Sequence, residues 1–398
     1  MIELDKLSKT FRQKDGTDVK AVDAVSMKIE EGEICVFLGP SGCGKTTTLK
    51  MINRLITPTS GRVLVNGEDT SGVDEVTLRR HIGYVIQQIG LFPNMTIEEN
   101  ITVVPRLLGW DRKRCRERAR ELMAMVALDP NRYLTRYPRE LSGGQQQRIG
   151  VIRALAADPP VLLMDEPFGA VDPINRETIQ NEFFQMQRQL KKTVLMVSHD
   201  VDEAIKLGDK VAVFRAGKLV QLDHPDTLLA HPADDFVSQF TGQDSTLKRL
   251  LLVKAGDAAT QPLTATPGTT VAQALSMMDE ADARYLTVTD GQQQGMGYVR
   301  RRDVRAATAD PTRATSDIGA LLQPFTTTAA PDEHLRILLS RMYEFNASWL
   351  PVIDGDGVYH GEVTQDSIAE YLSSGRSRGR STNSIVSPAD IAAAAASV

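Results

Sequence analysis

The sequence predicts an α/β domain built on parallel strands, followed by a smaller α+β unit that occurs twice. Three observations within its 398 residues predict this arrangement. A glycine-rich segment at residues 39–46 lies between an apolar, strand-like run at 36–38 and a series of good helix formers. A second apolar run at 161–164 ends in two acids, and the last third of the chain repeats its own pattern at an offset of 64 residues. A chain of this length is expected to hold two or three domains.

The glycine-rich segment has the sequence GPSGCGKT and fits the phosphate-binding pattern G-x-x-x-x-G-K-[ST] at every fixed position. Its glycines let backbone N–H groups turn inward around phosphate oxygens, and the helix N-terminus adds the positive end of its dipole. We expect Lys45 to contact the β- and γ-phosphates and the Thr46 hydroxyl to ligate Mg²⁺. The other candidate nucleotide contacts here are Ser41, Gly42, Cys43, Gly44 and Thr47.

The second apolar run, VLLM at residues 161–164, is typical of a buried parallel strand and leads directly into Asp165 and Glu166. A carboxylate at the C-terminal end of such a strand faces the crevice in which α/β sheets bind ligands. Asp165 is suited to hold Mg²⁺ through its water shell, and Glu166 is placed to accept a proton from an attacking water. Paired acids are also common at helix starts, so this interpretation depends on its combination with the phosphate loop.

Residues 141–148, LSGGQQQR, place two adjacent glycines before a predicted helix, which is a second anion-binding N-terminus. Here the sequence resembles the ABC ATPase family, whose signature is this LSGGQ run. The resemblance implies that Ser142, Gly143, Gly144 and Gln145 of one protomer close over the nucleotide held by the phosphate loop of another. It therefore implies a homodimer of ATPase subunits that encloses two ATP molecules.

The same resemblance assigns roles to four further residues. Phe11 stands where the family places an aromatic ring that stacks on adenine, although a core role is the alternative for a lone Phe. Gln87 matches the glutamine that senses Mg²⁺ and the γ-phosphate, and the adjacent Gln88 leaves the register open by one residue. Asp172 matches the D-loop that crosses the dimer interface, and His199 matches the switch histidine at the end of a strand.

Composition limits the classes of function. The net charge of −5, with 41% hydrophobic and 24% charged residues, describes a globular protein without a general attraction to nucleic acid. The basic run at 112–120 is interpreted as the solvated face of a helix, with a nucleic-acid patch as the less favoured alternative. The start of the sequence has no signal-peptide pattern, and no apolar run approaches the roughly 18 residues of a membrane helix. If this ATPase drives transport, we expect the pore to be another polypeptide.

The three cysteines, Cys35, Cys43 and Cys115, form no C-x-x-C pair and predict neither a disulfide framework nor a zinc site. Cys43 lies beside a helix N-terminus and Lys45, which both favour a thiolate. The sequence therefore predicts that alkylation of Cys43 blocks ATP binding and that bound Mg-ATP protects it.

The C-terminal repeat aligns residues 283–290, ARYLTVTD, with 347–354, ASWLPVID. Each unit predicts helix, strand, turn, strand and helix, and it resembles a tandem of CBS domains, a regulatory pair that often binds adenosine-containing ligands. A duplicated dimerisation module without a ligand is the alternative. The helix of each unit carries apolar residues at i, i+3, i+4 and i+7, which are Val271, Ala274, Leu275 and Met278 in the first and Leu335, Leu338, Leu339 and Met342 in the second.

Both repeats depart from the G-h-x-[TS]-x-x-D pattern of ligand-binding CBS domains. In the first, Arg300 replaces the hydroxyl residue while Asp303 is retained. In the second, Thr364 is retained, while Ser367 stands at the acid position and Asp366 comes one residue early. These departures count against simple AMP or ATP binding. A composite site, a different ligand such as a cyclic dinucleotide across a CBS dimer, and a response to ionic strength through charged surfaces are the alternatives.

These patterns predict a P-loop ABC-type ATPase domain at 1–240 with a helical subdomain at about 90–155, followed by an α+β tandem CBS domain pair. The expected boundaries are a linker at 241–254, CBS domains at 255–312 and 313–373, and a disordered tail at 374–398 rich in Ser, Gly, Arg and Ala.

This combination of domains, together with the run IGYVIQQIGLFP at 82–93, resembles the ATP-binding subunits of osmoprotectant importers, which take up glycine betaine, carnitine, choline or proline. The resemblance implies transmembrane permease subunits, an extracytoplasmic substrate-binding protein as an indirect partner, no nucleic acid, and a peripheral place on the cytoplasmic face of the inner membrane. An importer ATPase for another small solute and a soluble, non-transport ABC ATPase are the alternatives. The single LSGGQ and the short interval between Thr46 and Leu141 count against translation-factor and DNA-repair members of the family.

Overall fold

The computed structural model describes residues 1–87, 90–169, 171–242 and 244–374. The predicted tail lies outside the described residues from position 375 onward. The chain divides into two compact units, one that ends at Leu252 and one that begins at Val253. Across the described ranges, no helix is both long enough and apolar enough to span a membrane.

Two sheets and a group of helices form the first unit. The strands are Ile2–Arg12 (β1), Asp18–Ile29 (β2), Ile34–Leu38 (β3), Ser60–Val65 (β4), Glu68–Asp69 (β5), Ile82–Val85 (β6), Val161–Asp165 (β7), Thr193–Val197 (β8), Lys210–Arg215 (β9) and Lys218–Asp223 (β10). The helices are Lys45–Ile52 (α1), Glu75–Arg80 (α2), Ile97–Leu107 (α3), Arg112–Met125 (α4), Pro130–Tyr133 (α5), Gly143–Leu155 (α6), Pro173–Leu190 (α7), Val201–Leu207 (α8), Pro225–Ala230 (α9), Asp235–Thr241 (α10) and Ser245–Arg249 (α11).

The larger sheet places the candidate residues along one edge. Its order is β10-β9-β3-β8-β7-β6, with parallel pairing except between β9 and β10. The three central strands β3, β8 and β7 are buried along their whole length. Alternate side chains of β3 enter different cores, Val36 and Leu38 on one face and Cys35 and Phe37 on the other, which fixes the register of the sheet. Because parallel strands end at the same edge, the segments after β3, β7 and β8 meet there.

The smaller sheet is antiparallel, with the order β2-β1-β4-β5, and carries Phe11 near the end of β1. Helices α3 to α6 form an arm between β6 and β7. Two reciprocal capping boxes set the starts of two of these helices, Thr96 with Glu99 at α3 and Ser142 with Gln145 at α6.

The basic run at 112–120 lies on α4, and two of its arginines form ion pairs. Arg116 Nε is 3.6 Å from Glu98 Oε2, and Arg118 Nη1 is 2.9 Å from Glu121 Oε2. These ion pairs favour the interpretation of the run as a solvated helix face.

The segment expected to be a linker contains α11. Arg249 of this helix is buried and pairs with Asp226 on α9, with Nε 2.7 Å from Oδ1. The first unit therefore continues through Leu252, beyond the expected domain end at 240.

The second unit shows the internal repeat as two strand pairs with the same register. Tyr285 pairs with Arg300 in the first repeat, and Trp349 pairs with Thr364 in the second. The strands are Thr264–Ala265 (β11), Tyr285–Thr289 (β12), Gly295–Arg300 (β13), Trp349–Ile353 (β14) and Tyr359–Thr364 (β15). The helices are Ala255–Ala258 (α12), Val271–Glu280 (α13), Arg301–Thr308 (α14), Pro311–Ala314 (α15), Leu335–Glu344 (α16) and Gln365–Ser374 (α17).

Glu362 on β15 gives this unit a pH-dependent stability. Burial raises the pKa of its carboxyl from 4.5 to about 7. Because the unfolded chain releases this proton at lower pH than the folded protein, the stability of the fold falls as the pH rises through that window. We expect the melting temperature of the full chain to fall between about pH 5 and about pH 8, and Glu362→Gln to make the dependence shallower. The exposed Glu344→Gln is the matched control, and an unchanged slope in Glu362→Gln would contradict the assignment.

Candidate nucleotide site

The loop at residues 39–46 requires glycine at two positions, because at each of them a different backbone carbonyl comes too close for a side chain. Gly39 has φ +145°, and a Cβ there would lie 2.3 Å from the Phe214 carbonyl oxygen. Gly44 has φ +107°, and a Cβ there would lie 2.4 Å from the Ala21 carbonyl oxygen. Both approaches are too close for any side chain, so the loop packs its backbone against β9 and β2.

Lys45 is the first residue of α1 and is only 6% exposed. Its ammonium donates to the carbonyl oxygens of Gly39, at 2.5 Å, and Pro40, at 3.0 Å. The charge is therefore held inside the loop that the sequence predicts to surround phosphate. Gly44 caps this helix without a side chain, so the helix start presents backbone N–H groups and a lysine together.

Cys43 differs from the expectation of a reactive thiol. Its side chain is 3% exposed and packs in the core under the loop, with Sγ 3.7 Å from Lys45 Nζ. Alkylation would require the loop to open, because the path of the glycines turns this side chain inward.

Thr46 and Asp165 bring two hard oxygen ligands together. The Thr46 hydroxyl donates to Asp165 Oδ1 at 2.8 Å, which joins the loop after β3 to the end of β7. Asp165 is 5% exposed, and burial raises the pKa of its carboxyl. A hydroxyl beside a carboxylate fits the oxygen donor set that Mg²⁺ prefers at nucleotide phosphates.

The three predicted catalytic residues converge at the same edge. Gln87 Nε2 donates to Glu166 Oε2 at 2.9 Å, and His199 Nδ1 lies 3.5 Å from the same oxygen. Glu166 has φ +45°, and its N–H donates to the Val197 carbonyl at 3.1 Å, so the end of β8 holds its unusual backbone in place. Gln88 lies outside the described residues, so the choice of Gln87 as the functional glutamine stays a prediction.

The signature segment starts α6. The Ser142 hydroxyl accepts from the Gln145 N–H at 3.3 Å, and Gln145 Nε2 donates to the Tyr133 hydroxyl at 3.2 Å. A Cβ added to Gly144 would touch Ile179 at 3.4 Å, whereas one added to Gly143 would meet no described atom within 4 Å. Packing within the described part of the chain therefore does not explain why residue 143 is glycine.

Phe11 and Asp172 occupy exposed positions. Phe11 is 40% exposed, and Lys9 Nζ lies 5.1 Å from its ring centroid. Asp172 immediately precedes α7, and its carbonyl accepts from the Arg176 N–H at 2.9 Å. Both roles predicted for these residues involve surface contacts, and their exposure is compatible with them.

Two polar residues near the site were not singled out from the sequence. Arg176 on α7 contacts the D-loop segment and Asp200, and Glu203 on α8 is buried behind Ser198. The sequence pattern indicates Glu203 only weakly, because this residue and Asp200 look like ordinary acids at the start of a helix.

Comparison with known proteins matches two kinds of domain to this chain. A sequence model of the ABC transporter family matches residues 22–169, and a CBS domain model matches residues 255–310 and 318–374. The osmoprotectant import ATP-binding protein OsmV of Salmonella typhimurium is 63% identical over 380 residues, which cover 95% of this chain and 98% of that protein. The glycine betaine/carnitine/choline transport ATP-binding protein OpuCA of Bacillus subtilis is 45% identical over 374 residues, or 94% of this chain and 96% of that protein.

Among solved structures, the ATP-binding cassette MJ0796, a dimer in a post-hydrolysis state bound to ADP and Pi, superposes with a TM-score of 0.51 at 34% identity. The match covers 56% of this chain and 98% of that chain. The predicted P-loop ABC-type ATPase fold followed by tandem CBS domains is confirmed. The chain therefore belongs to the ABC transporter ATP-binding subunits of the osmoprotectant uptake family, ATPases that carry a C-terminal CBS pair.

Proposed function

We propose that this chain hydrolyses ATP to energise the import of an osmoprotectant through a separate membrane permease. One observation carries the chemistry: Gln87 and His199 converge on the Glu166 carboxylate at the sheet edge where Thr46 meets Asp165. The identity to OsmV over almost the whole chain supports the transport role.

ATP is proposed to bind between two copies of the chain. Phe11 stacks on adenine, and the loop at 39–47 surrounds the phosphates of the same nucleotide. Ser142, Gly143 and Gly144 of a second copy close over it, and Asp172 crosses the interface. Three observations support this arrangement: Phe11 is exposed, a Cβ added to Gly143 would meet no described atom within 4 Å, and MJ0796 is dimeric.

Glu166 acts as the general base in this proposal. Its carboxylate accepts the proton of the attacking water, while the Gln87 amide fixes its orientation and His199 lies beside the same carboxylate. Lys45 turns from the loop carbonyls to the β- and γ-phosphates when these replace its partners. Thr46 and Asp165 would hold Mg²⁺, which neutralises charge on the phosphates when bound.

The transported solute is proposed to be a quaternary amine of the glycine betaine, carnitine or choline type, or proline. This rests on the names of the relatives, because the ATPase residues do not contact the solute. The permease and an extracytoplasmic binding protein would recognise it, with this chain peripheral on the cytoplasmic face of the membrane. Uptake of labelled glycine betaine by cells with and without the gene tests this role, and undiminished uptake in its absence would favour another small solute.

The CBS pair is proposed to gate the transporter. The motif positions of both repeats already have partners within the chain, because Arg300 donates to the Tyr298 hydroxyl at 3.1 Å and the Ser367 N–H donates to Thr364 Oγ1 at 2.9 Å. The positive charge at the start of α14 is partly neutralised, since Arg301 and Arg305 both pair with Asp279. Exposed ion pairs of this kind weaken as salt rises, which favours a response to ionic strength.

Deletion of residues 255–398 tests this gate. We expect the complex reconstituted in vesicles to transport at low internal salt as fast as it does at high salt, because the proposed gate is gone. Transport is measured against internal salt, with Asp279→Asn in the intact chain as a milder variant that removes one ion-pair centre. An unchanged salt threshold in the deletion, together with no effect of a cyclic dinucleotide on the intact chain, would reduce the pair to a dimerisation module.

A further inference from the structure

Arg176 links the D-loop segment to the segment that follows the switch histidine. Its Nη2 donates to the Val171 carbonyl at 3.0 Å, and its Nη1 lies 3.8 Å from Asp200 Oδ2. Asp200 in turn caps α8, where its carboxylate accepts from the Glu203 N–H at 3.2 Å. One guanidinium therefore spans the start of α7 and the start of α8.

A second connection joins the same two helices one turn deeper. Gln180 on α7 donates through Nε2 to Glu203 Oε1 at 3.0 Å, and the Ser198 hydroxyl donates to the other oxygen of Glu203. All three side chains are buried, Glu203 at 7% exposure. The Ser198 hydroxyl also accepts from the Asp200 N–H at 3.0 Å, so the residues before and after His199 both belong to the network.

Both connections lie next to the proposed catalytic residues at the edge of the larger sheet. Arg176, Glu203 and Asp200 line the same recess as Glu166 and His199. Val171 is held through its carbonyl, and it directly precedes Asp172, the residue expected to reach the other protomer. A shift of α7 would therefore move the D-loop backbone and the histidine together.

We propose that Arg176 and the Gln180–Glu203–Ser198 network are positioning residues that keep the D-loop and His199 in a fixed relation during hydrolysis. A buried carboxylate with two side-chain donors and a guanidinium that bridges two segments form one connected polar network, which restricts how far either segment moves alone. Hydrolysis depends on the alignment of base, water and phosphate, so loosening this unit lowers turnover rather than nucleotide affinity. This inference rests on the proposed roles of Glu166 and His199.

The test compares Arg176→Gln and Arg176→Lys with the wild-type full chain in Mg-ATP hydrolysis. We expect Arg176→Gln to lower kcat roughly tenfold or more, with KM for ATP near the wild-type value. Arg176→Lys keeps the charge that faces Asp200 and recovers part of the loss. Arg188→Gln, an exposed arginine on the same helix, is the control and leaves both constants unchanged.

Glu203→Gln provides a second variant, because it keeps the volume of the side chain and both hydrogen-bond partners can still reach an amide. We expect a smaller fall in kcat, again at constant KM. Normal kcat in Arg176→Gln, or a loss of kcat that only matches the loss of folded, nucleotide-binding protein, would overturn the proposal. Normal turnover in Glu166→Gln would instead overturn the catalytic assignment, so the two failures are distinguishable.

Discussion

Replacement of Glu166 by glutamine is expected to lower ATP hydrolysis by about 10²–10⁴-fold, the usual cost of losing a general base. Glutamine keeps the shape of the side chain and an oxygen that can still accept from Gln87 Nε2. It cannot take a proton from water. ATP binding is expected to persist, and the variant accumulates as a closed dimer when ATP is added, which gel filtration with and without nucleotide detects.

Glu31→Gln is the matched control, since this exposed glutamate in the turn before β3 lies away from the nucleotide edge. It is expected to leave turnover and oligomeric state unchanged. Near-normal hydrolysis in Glu166→Gln would remove Glu166 as the base and leave its contacts with Gln87 and His199 without a catalytic explanation.

The sheet edge was predictable because its residues belong to contiguous patterns. The strands β3, β7 and β8 are almost entirely apolar, and the candidate residues come directly at or after their ends: the loop after β3, Asp165 and Glu166 at the end of β7, and His199 after β8. Parallel pairing then brings the three segments to one place without further information. Thr46 and Asp165 meet at 2.8 Å for this reason, although 119 positions separate them.

The inward position of Cys43 was not predictable, because the pattern leaves this residue free. Its direction is set by the left-handed backbone of Gly42 and Gly44 on either side. Sequence shows that glycine is present but not which way the intervening side chain is turned. Chemical reasoning on neighbours alone therefore assigned reactivity to a thiol that packs in the core.

The network around Arg176 was missed for a different reason. Its members come from α7, the end of β8 and α8, and each has an ordinary explanation in its own segment. Arg176 looks like a surface residue of a helix and Glu203 like a first-turn acid. Only their packing shows that a buried carboxylate joins α7 to the segment around His199. The same holds for Arg249, a charged residue that sequence alone places in a linker and the fold buries against Asp226.

Gly143→Asp is expected to stabilise the fold and abolish function. A side chain at this position meets no described atom of its own chain within 4 Å, and an acid in the first turn of α6 interacts favourably with the helix dipole by about 0.3–1 kcal/mol. If the ATP held by a second copy packs against this turn, the same carboxylate faces the phosphates. Loss of one preorganised contact to such charge costs about 10²–10³-fold in rate, and we expect hydrolysis to fall at least that far.

Melting temperature, nucleotide affinity and hydrolysis of Gly143→Asp are measured together, because the three are expected to move differently. The melting temperature stays equal or rises, affinity for ATP at the phosphate loop stays near the wild-type value, and turnover is lost. In the Glu166→Gln background, Gly143→Asp prevents the ATP-dependent dimer, since closure brings the two charges together. Gly72→Asp is the control, an exposed glycine that likewise has no described neighbour within 4 Å but lies in the turn after β5. Normal hydrolysis by Gly143→Asp, or a dimer that still forms, would show that this turn does not close over nucleotide and would leave the glycine at 143 unexplained.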